Sequence, residues 1–331
     1  MGNRGAILIA GGAGYIGSHC SKAVAEAGFL PVCYDNLTTG HRGFVQWGPL
    51  LVGDIADSIK VAAAIRKFDV QAVMHFAASS AVGESVADPQ AYYLNNVNGT
   101  LGLLQGMRAA GCNRLVFSST GAVYGNAGRE PIPERAAGPT VNPYGRSKYM
   151  IEQILADYRA AYGFASIALR YFNACGADDS AVVGELRDPE THLIPRALMA
   201  LQGHVGDFAI FGEDYETPDG TAVRDYIHVD DLAVAHIAAI ERLLQGNPGG
   251  VYNLGTGAGY SVREIVDAIR RETGEAVPVV MRERRAGDPA ILVADPSHAE
   301  RELGFKAQRS DLPTIIRSAW AWHQKAHPRR A

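Results

Sequence analysis

The chain has 331 residues, of which 47% are hydrophobic and 20% charged, with a net charge of −4. This is ordinary globular composition, with enough apolar material for two lobes or for one large domain and a smaller cap. It carries no basic surplus that calls for nucleic acid or an anionic membrane. Cys20, Cys33, Cys112 and Cys175 stand far apart with no C-x-x-C pair, which argues against a metal or disulfide framework and for reduced thiols in the cytoplasm. No stretch is long enough to span a bilayer, the apolar run 6–10 is too short for a signal segment, and Ala6 stands where a myristoylation signal at Gly2 wants Ser or Thr.

In chain order the pattern predicts a buried strand over 6–10 and a helix over 18–27. A strand over 31–34 follows, ending at Asp35, and another over 50–52, followed by Asp54. Next come a helix over 58–67, a strand over 72–76, a long helix over 92–110 and a strand over 114–118. A helix over 147–162 and a strand over 166–170 complete the series. Strands spaced by helices imply right-handed βαβ units, hence an α/β fold with a doubly wound parallel Rossmann sheet. From about 176 to 223 the chain is loop-rich, with Pro189, Pro195 and Pro218 as breakers. Strand-like 226–229 and 251–254 flank a helix over 232–244, so a smaller carboxy-terminal α/β lobe is expected to interleave with the first domain.

Gly11-Gly12-Ala13-Gly14-Tyr15-Ile16-Gly17 follows the first strand and opens a helix. Glycines there allow a tight turn and a close backbone approach to a pyrophosphate, and the helix start supplies free N–H groups. Asp35 ends the next strand near the offset expected of a ribose-binding acid. A carboxylate accepts from a ribose 2′-hydroxyl and repels a 2′-phosphate, which favours NAD over NADP, although Arg42 in the same loop keeps NADP open. Gly255-Thr256-Gly257-Ala258-Gly259 also sits between a strand and a helix. No acid-tipped strand follows it, and Ser261 and Glu264 spell a capping box, so it reads as a structural turn.

Tyr144 and Lys148 are four apart at a helix start, which puts both side chains on one face. A free phenol titrates at about 10, too high for a base near neutrality. A neighbouring ammonium favours the phenolate, so the pair suits proton transfer with Tyr144 as acid/base and Lys148 as electrostatic tuner. Ser118-Ser119-Thr120 ends the fifth strand, on the edge where open α/β sheets bind ligands. A Thr120 hydroxyl could bond a reacting oxygen there, or merely cap a turn. His192, His228 and His236 lack metal-ligand spacing, and no metal is expected.

With these residues assembled, the chain resembles the extended short-chain dehydrogenase/reductase family, in its NAD-dependent epimerase/dehydratase group. The resemblance runs over nearly the whole chain. It rests on Gly11 to His19, Asp35-Asn36-Leu37, Gly53-Asp54-Ile55, Ala81 to Ser85, Asn95 to Thr100 and Asn142-Pro143-Tyr144-Gly145. It continues through Arg170-Tyr171-Phe172-Asn173, Val223 to Val229 and Arg284 to Asp288.

The resemblance implies reversible epimerisation at C4 of a UDP-hexose on tightly held NAD, with Tyr144, Lys148 and Thr120 catalytic. It implies NAD contacts from Gly11, Gly14, Tyr15, Ile16, Gly17, Asp35, Asn36, Leu37, Thr39, Gly40, Asp54 and Ile55. Further contacts would come from Phe76, Ala77, Ala78, Ser80, Asn95, Ser118, Tyr144, Lys148 and Phe172. Thr120, Tyr144, Asn173, His192, Leu193, Phe211, Arg224, Arg285, Asp288 and Leu292 would face the UDP-sugar, with Arg224 and Arg285 clamping the diphosphate. The NAD domain would comprise 1–175 with 224–255 and about 290–315. Residues 176–223 and 256–289 plus the carboxy-terminal segment would form the UDP-sugar domain. A homodimer built on the helices 92–110 and 147–162 is also implied.

Three departures stand out. Ser80 replaces a frequent Lys, which removes one cofactor contact; Thr120 replaces a commoner Ser and keeps the hydroxyl; Leu292 replaces a bulky Tyr, which would admit N-acetylated sugars. Sugar-nucleotide dehydratases carry Asp-Glu after the Thr, whereas Gly121-Ala122 here cannot move protons. Epimerisation of UDP-N-acetylglucosamine, UDP-xylose or UDP-glucuronate stays open, as does a non-catalytic NAD-binding module, which the intact Tyr/Lys/hydroxyl set argues against.

Overall fold

Seven strands, each paired in parallel with its neighbours, make the central sheet. They are β1 (Ala6–Ala10), β2 (Leu30–Asp35), β3 (Leu50–Val52), β4 (Val70–His75), β5 (Arg114–Ser118), β6 (Ala165–Tyr171) and the strand Gly249–Leu254. The computed structural model describes residues 4–126, 131–285 and 288–328; Gly2, and Ala286 and Gly287 of the 284–288 motif, lie outside the described residues.

The strand order is Gly249–Leu254, β6, β5, β4, β1, β2, β3. It reverses at β1, which has β2 on one side and β4 on the other, and in open α/β sheets the ligand crevice lies at such a switch point. Both faces of β1 are covered, so it reads as an unbroken apolar run. Ile7 and Ile9 pack with Cys20 and Val24 of the helix α1 (Tyr15–Glu26) and with Leu232, Ala235 and Ala239 of the helix Val229–Leu244. Leu8 faces the other way, onto a layer with Val61, Ile65, Leu103, Met107, Ile151 and Leu155.

The chain leaves the sheet after β6, builds a second body, and returns to place Gly249–Leu254 on the sheet edge beside β6. The second body has a core of its own. It joins the helices Leu193–Leu201, Val262–Thr273 and Leu312–Ala326, and includes Phe208 and Ile210. Three small sheets accompany it: Phe208–Phe211 with Val279–Arg282; Tyr260–Ser261, Val223–Arg224 and Ile291–Leu292; and Tyr226–His228 with Asn173–Cys175. Among the described residues no helix is long and apolar enough to cross a membrane.

The helices expected over 18–27 and 232–244 each begin three residues early, at Tyr15 and Val229, and two others depart further from their expected outlines. The single helix over 92–110 is instead Pro89–Tyr92, a π-helical stretch Tyr93–Asn98, and Gly99–Ala109. The cause is Asn96, a fully buried amide. Its Nδ2 donates to the Ser79 carbonyl and to Ser147 Oγ, each at 3.0 Å, and its Oδ1 accepts from the Ser79 N–H at 2.8 Å. A widened turn brings that side chain inward, a common use of π-bulges at functional sites. The helix expected from 147 begins earlier, at Pro143, and runs to Tyr162. Asn142 Oδ1 caps it by accepting from the Gly145 N–H at 2.8 Å, and proline suits the first helical position because it has no N–H to leave unpaired.

Candidate active site

The glycine turn is built for contact on one side and for space on the other. A Cβ on Gly17 would lie 2.2 Å from the Gly11 carbonyl oxygen, so α1 rests directly on the turn. A Cβ on Gly14 would meet only that same oxygen, at 3.4 Å, which leaves the space above the helix start open. The first N–H groups of α1 have no intrahelical acceptor. Tyr15 anchors the helix to the second body, its hydroxyl donating to the Gly176 carbonyl at 2.6 Å, while Ile16 packs on the sheet.

Asp35 closes the turn from the tip of β2. Buried, it accepts from the Ala13 N–H at 3.0 Å and the Leu37 N–H at 2.8 Å, one on each oxygen, and lone pairs remain for ribose hydroxyls. Leu37 has φ 60° at the sharp bend this creates. Gly40 packs on the carboxylate, Thr39 is exposed, and Asn36 donates to the Asp54 carboxylate at 3.1 Å. Ile55 is buried under Gly99. The open cradle, free helix donors and oriented acid fit a dinucleotide.

The loop after β4 lies alongside. The Phe76 and Ala77 N–H groups donate to the Ala10 carbonyl at 2.7 and 3.0 Å, which holds Phe76, Ala77 and Ala78 against β1. Sequence reasoning singled out Asn95, whose exposed amide donates to Ser79 Oγ at 3.2 Å. The buried neighbour Asn96, which it missed, ties this loop to the Tyr144 helix. Ser80 Oγ accepts from Arg187 Nη1 at 3.2 Å.

Tyr144, Lys148 and Thr120 come together at the carboxyl end of the sheet. Burial pushes the Tyr144 phenol above its ordinary pKa, and the Thr120 hydroxyl and the Arg187 charge pull it back. Lys148 is buried, its Nζ donating to the Ser118 carbonyl at 2.9 Å and lying 4.9 Å from the Phe117 ring centroid. Burial brings its pKa down to about 7, against the opposing charge of Glu152. The Ser118 hydroxyl is paired with the Tyr171 phenol. Thr120 Oγ1 accepts from the Ala122 N–H at 3.1 Å, and its own hydroxyl is hydrogen-bonded with the Tyr144 phenol. Glycine is required at 121 because the Phe172 ring, itself stacked on Tyr124, would lie 2.5 Å from a Cβ there. Beneath the site a buried Arg170–Glu152 ion pair also takes the Ser119 hydroxyl, at 2.5 Å, and Arg170 bonds the Tyr124 hydroxyl at 3.0 Å.

The second body supplies cations. Arg224, on the short strand Val223–Arg224, is pushed below the ordinary arginine pKa by burial, with Arg285 adding to the effect and Asp288 opposing it. The Arg285 guanidinium lies over the Phe211 ring, 3.9 Å from its centroid. Two guanidinium groups near enough to repel each other, with one carboxylate nearby, leave positive charge for an anion. Leu292 pairs with Arg224 across the strand and packs in a cluster with Tyr124 and Phe172. Asn173 is committed to the backbone, its amide donating to the Asp225 carbonyl at 2.9 Å, and Leu193 lies against the core of the second body. His192 Nδ1 is 2.5 Å from Glu185 Oε1. Glu185, Glu190 and His192 bring three potential metal ligands within 4.8 Å, but this pairing, together with Arg187 on Glu185, already balances their charge.

A doubly wound sheet with an open glycine cradle, a buried acid at the tip of β2 and a Tyr/Lys/hydroxyl set defines a dinucleotide enzyme of the short-chain dehydrogenase/reductase type. The chain matches the model of the NAD dependent epimerase/dehydratase family over residues 7–255, and it belongs to that family. The UDP-glucose 4-epimerase of Rhizobium leguminosarum bv. trifolii is 50% identical over 97% of this chain and 98% of its own. A crystal structure of UDP-glucose 4-epimerase from Brucella ovis in complex with NAD has a TM-score of 0.94 and 53% identity, covering 96% of this chain and 98% of that one. The UDP-Glc/GlcNAc 4-epimerase of Campylobacter jejuni has a TM-score of 0.85 and 36% identity, covering 97% of this chain and 99% of that one.

Proposed function

We propose that this protein interconverts UDP-galactose and UDP-glucose by epimerising C4 of the sugar on bound NAD. The observation that carries the reading is the convergence of Tyr144 and Thr120 at the sheet edge beside Gly121 and Ala122, which offer no further proton donor. Elimination of water would need one. Bound NAD supplies a hydride acceptor that can give the hydride back, which makes the net reaction redox-neutral.

Tyr144 Oη takes the proton of the sugar 4-hydroxyl and returns it after the 4-keto sugar has turned over. Thr120, with Ala122 donating to it and its hydroxyl paired with the Tyr144 phenol, turns that hydroxyl to the reacting oxygen when the sugar is bound. Lys148, at about 7, gains and loses its charge near neutral pH and favours the phenolate when charged. Arg224 and Arg285 hold the diphosphate, so the sugar is free to rotate. In this reading 1–175 with 224–255 and about 290–315 form the NAD domain, and 176–223 and 256–289 plus the carboxy-terminal segment take the UDP-sugar. The exposed apolar side chains Leu94, Leu101 and Met150 support a homodimer on these helices, and four reduced cysteines support a cytoplasmic protein.

The test is to incubate the purified protein with UDP-galactose and no added cofactor. UDP-glucose is expected to form. Turnover of a UDP-pentose or UDP-uronate instead would displace the substrate, and no turnover of any UDP-sugar would sink the reading. Leu292 in place of a bulkier Tyr leads us to expect UDP-N-acetylgalactosamine as a second substrate.

A further inference from the structure

Leu186 and Arg187 are neighbours in the loop-rich segment between β6 and the helix Leu193–Leu201, yet they reach opposite sides of the switch point of the sheet. The Leu186 carbonyl accepts from His41 Nε2 at 3.0 Å, on the loop after β2. Arg187 Nη1 donates to Ser80 Oγ at 3.2 Å, on the loop after β4. β2 and β4 flank β1 on its two sides, so these strands stand about 10 Å apart. The glycine turn after β1 lies between them, and His41 is tied to it, its N–H donating to the Ala13 carbonyl at 2.8 Å. One dipeptide of the second body thus bridges both lips of the crevice. Its base is fixed. Trp322 Nε1 donates to the Glu185 carbonyl at 2.7 Å, and the buried Glu185 carboxylate takes Arg187 Nε at 3.1 Å and His192 Nδ1 at 2.5 Å. The span itself is lightly held. Leu186 is half-buried against the cluster around Phe44, the Arg187 side chain is 35% exposed, and Asp188 and Pro189 just beyond are exposed.

We propose that the Leu186–Arg187 bridge is a latch over the cofactor crevice, which must open for NAD to enter or leave. A dinucleotide binds across the switch point with its pyrophosphate at the start of the first helix. It is longer than the gap between the two lips, so its middle lies under the bridge and stays there while both ends are bonded. The two bonds run to His41 and Ser80, one on each lip, and both are protein–protein bonds. A single hydrogen bond adds little net stability, so the latch opens at intervals without unfolding the loop, whose base remains on Glu185 and Trp322. Because the bonds do not go to the cofactor, the latch sets the rates of entry and exit alike and leaves the affinity unchanged. Slow exchange suits a reaction that returns its hydride to the same sugar, but the inference concerns the cofactor alone and holds whichever sugar is turned over.

The test exchanges the NAD of the cofactor-bearing protein against an excess of isotopically labelled NAD, sampled by rapid gel filtration. Ser80→Ala and Arg187→Ala break the same bond. Each of them, and the two together, are expected to speed release by the same factor, about fivefold, the scale of one hydrogen bond. His41→Ala breaks the other bond, and combined with Ser80→Ala its effect is expected to multiply. Uptake of labelled NAD by the stripped protein is expected to speed by the same factors, so that the dissociation constant holds. Release that speeds while uptake stays the same would mean that these side chains hold NAD directly, and overturns the latch. Unchanged release in the Ser80→Ala, His41→Ala double variant overturns it as well. Should Arg187→Ala fail to fold with Glu185 left unpaired, Ser80→Ala leaves that ion pair in place and tests the same bond. A protein inert toward UDP-galactose whose NAD exchange still responds in this way would reject the substrate and support the latch.

Discussion

Two glycine turns in this protein follow a strand and lead into a helix, yet only one is open to a ligand. In the turn over 11–17, the acid sits beneath the loop at the tip of the next strand and holds Ala13, leaving the donors of α1 facing outward. In the turn over 255–259, the acid reaches into the loop itself. The buried Asp225 carboxylate accepts from the Thr256 N–H at 3.0 and 3.2 Å, from Thr256 Oγ1 at 2.8 Å and from the Ala294 N–H at 3.2 Å. The helix beyond it is closed by the capping box of Ser261 and Glu264. A carboxylate inside a turn occupies the donors that a phosphate would need; one below it orients them.

The largest effect is expected at Gly17. A methyl there would lie 2.2 Å from the Gly11 oxygen, a backbone atom that cannot rotate away. Gly17→Ala must lift α1 off the turn, at a cost of about 3 kcal/mol or more, and the purified protein should come without NAD. Wild-type melting with full cofactor content would break the comparison at once. Asp225→Ala comes next. It leaves the N–H groups of Thr256 and Ala294 without their acceptor, at a cost of about 2 kcal/mol, while NAD content should hold. Loss of NAD with unchanged melting would reverse the roles assigned to the two turns.

These turns mark what pattern could reach. β1 and β5 were legible to the residue because a strand covered on both faces is an uninterrupted apolar run, and the short, partly exposed edge strand β3 because Pro49 and Gly53 bound it. Asp35, Tyr144, Lys148 and Thr120 were legible because local spacing places each at the carboxyl edge of the sheet. The π-helical stretch was not, since it depends on Asn96 finding Ser79 and Ser147, the latter 51 residues away. Arg187 was invisible for the same reason, its partner Ser80 being 107 positions back and its approach set by a buried glutamate. The Glu152–Arg170 pair likewise joins a helix and a strand whose patterns, taken separately, describe only amphipathic and buried elements.

The smallest structural change is the sharpest probe. Gly14 has φ −84° and ψ 177°, a conformation that alanine adopts without strain, and its Cβ would make only an ordinary contact with the Gly11 oxygen at 3.4 Å. The ligand-free chain should therefore tolerate Gly14→Ala, with stability changed by less than about 1 kcal/mol and any gain coming from a less flexible unfolded state. The methyl would, however, occupy the open space over the helix start, where we propose that the pyrophosphate lies. NAD affinity is expected to fall at least about tenfold, read as cofactor lost on gel filtration while the melting temperature of the stripped protein holds. Gly17→Ala perturbs fold and cofactor together, so it cannot separate them. Gly14→Ala can. If the variant keeps its NAD, the space over the helix start is not where the diphosphate lies, and the turn over 11–17 is as structural as the one over 255–259.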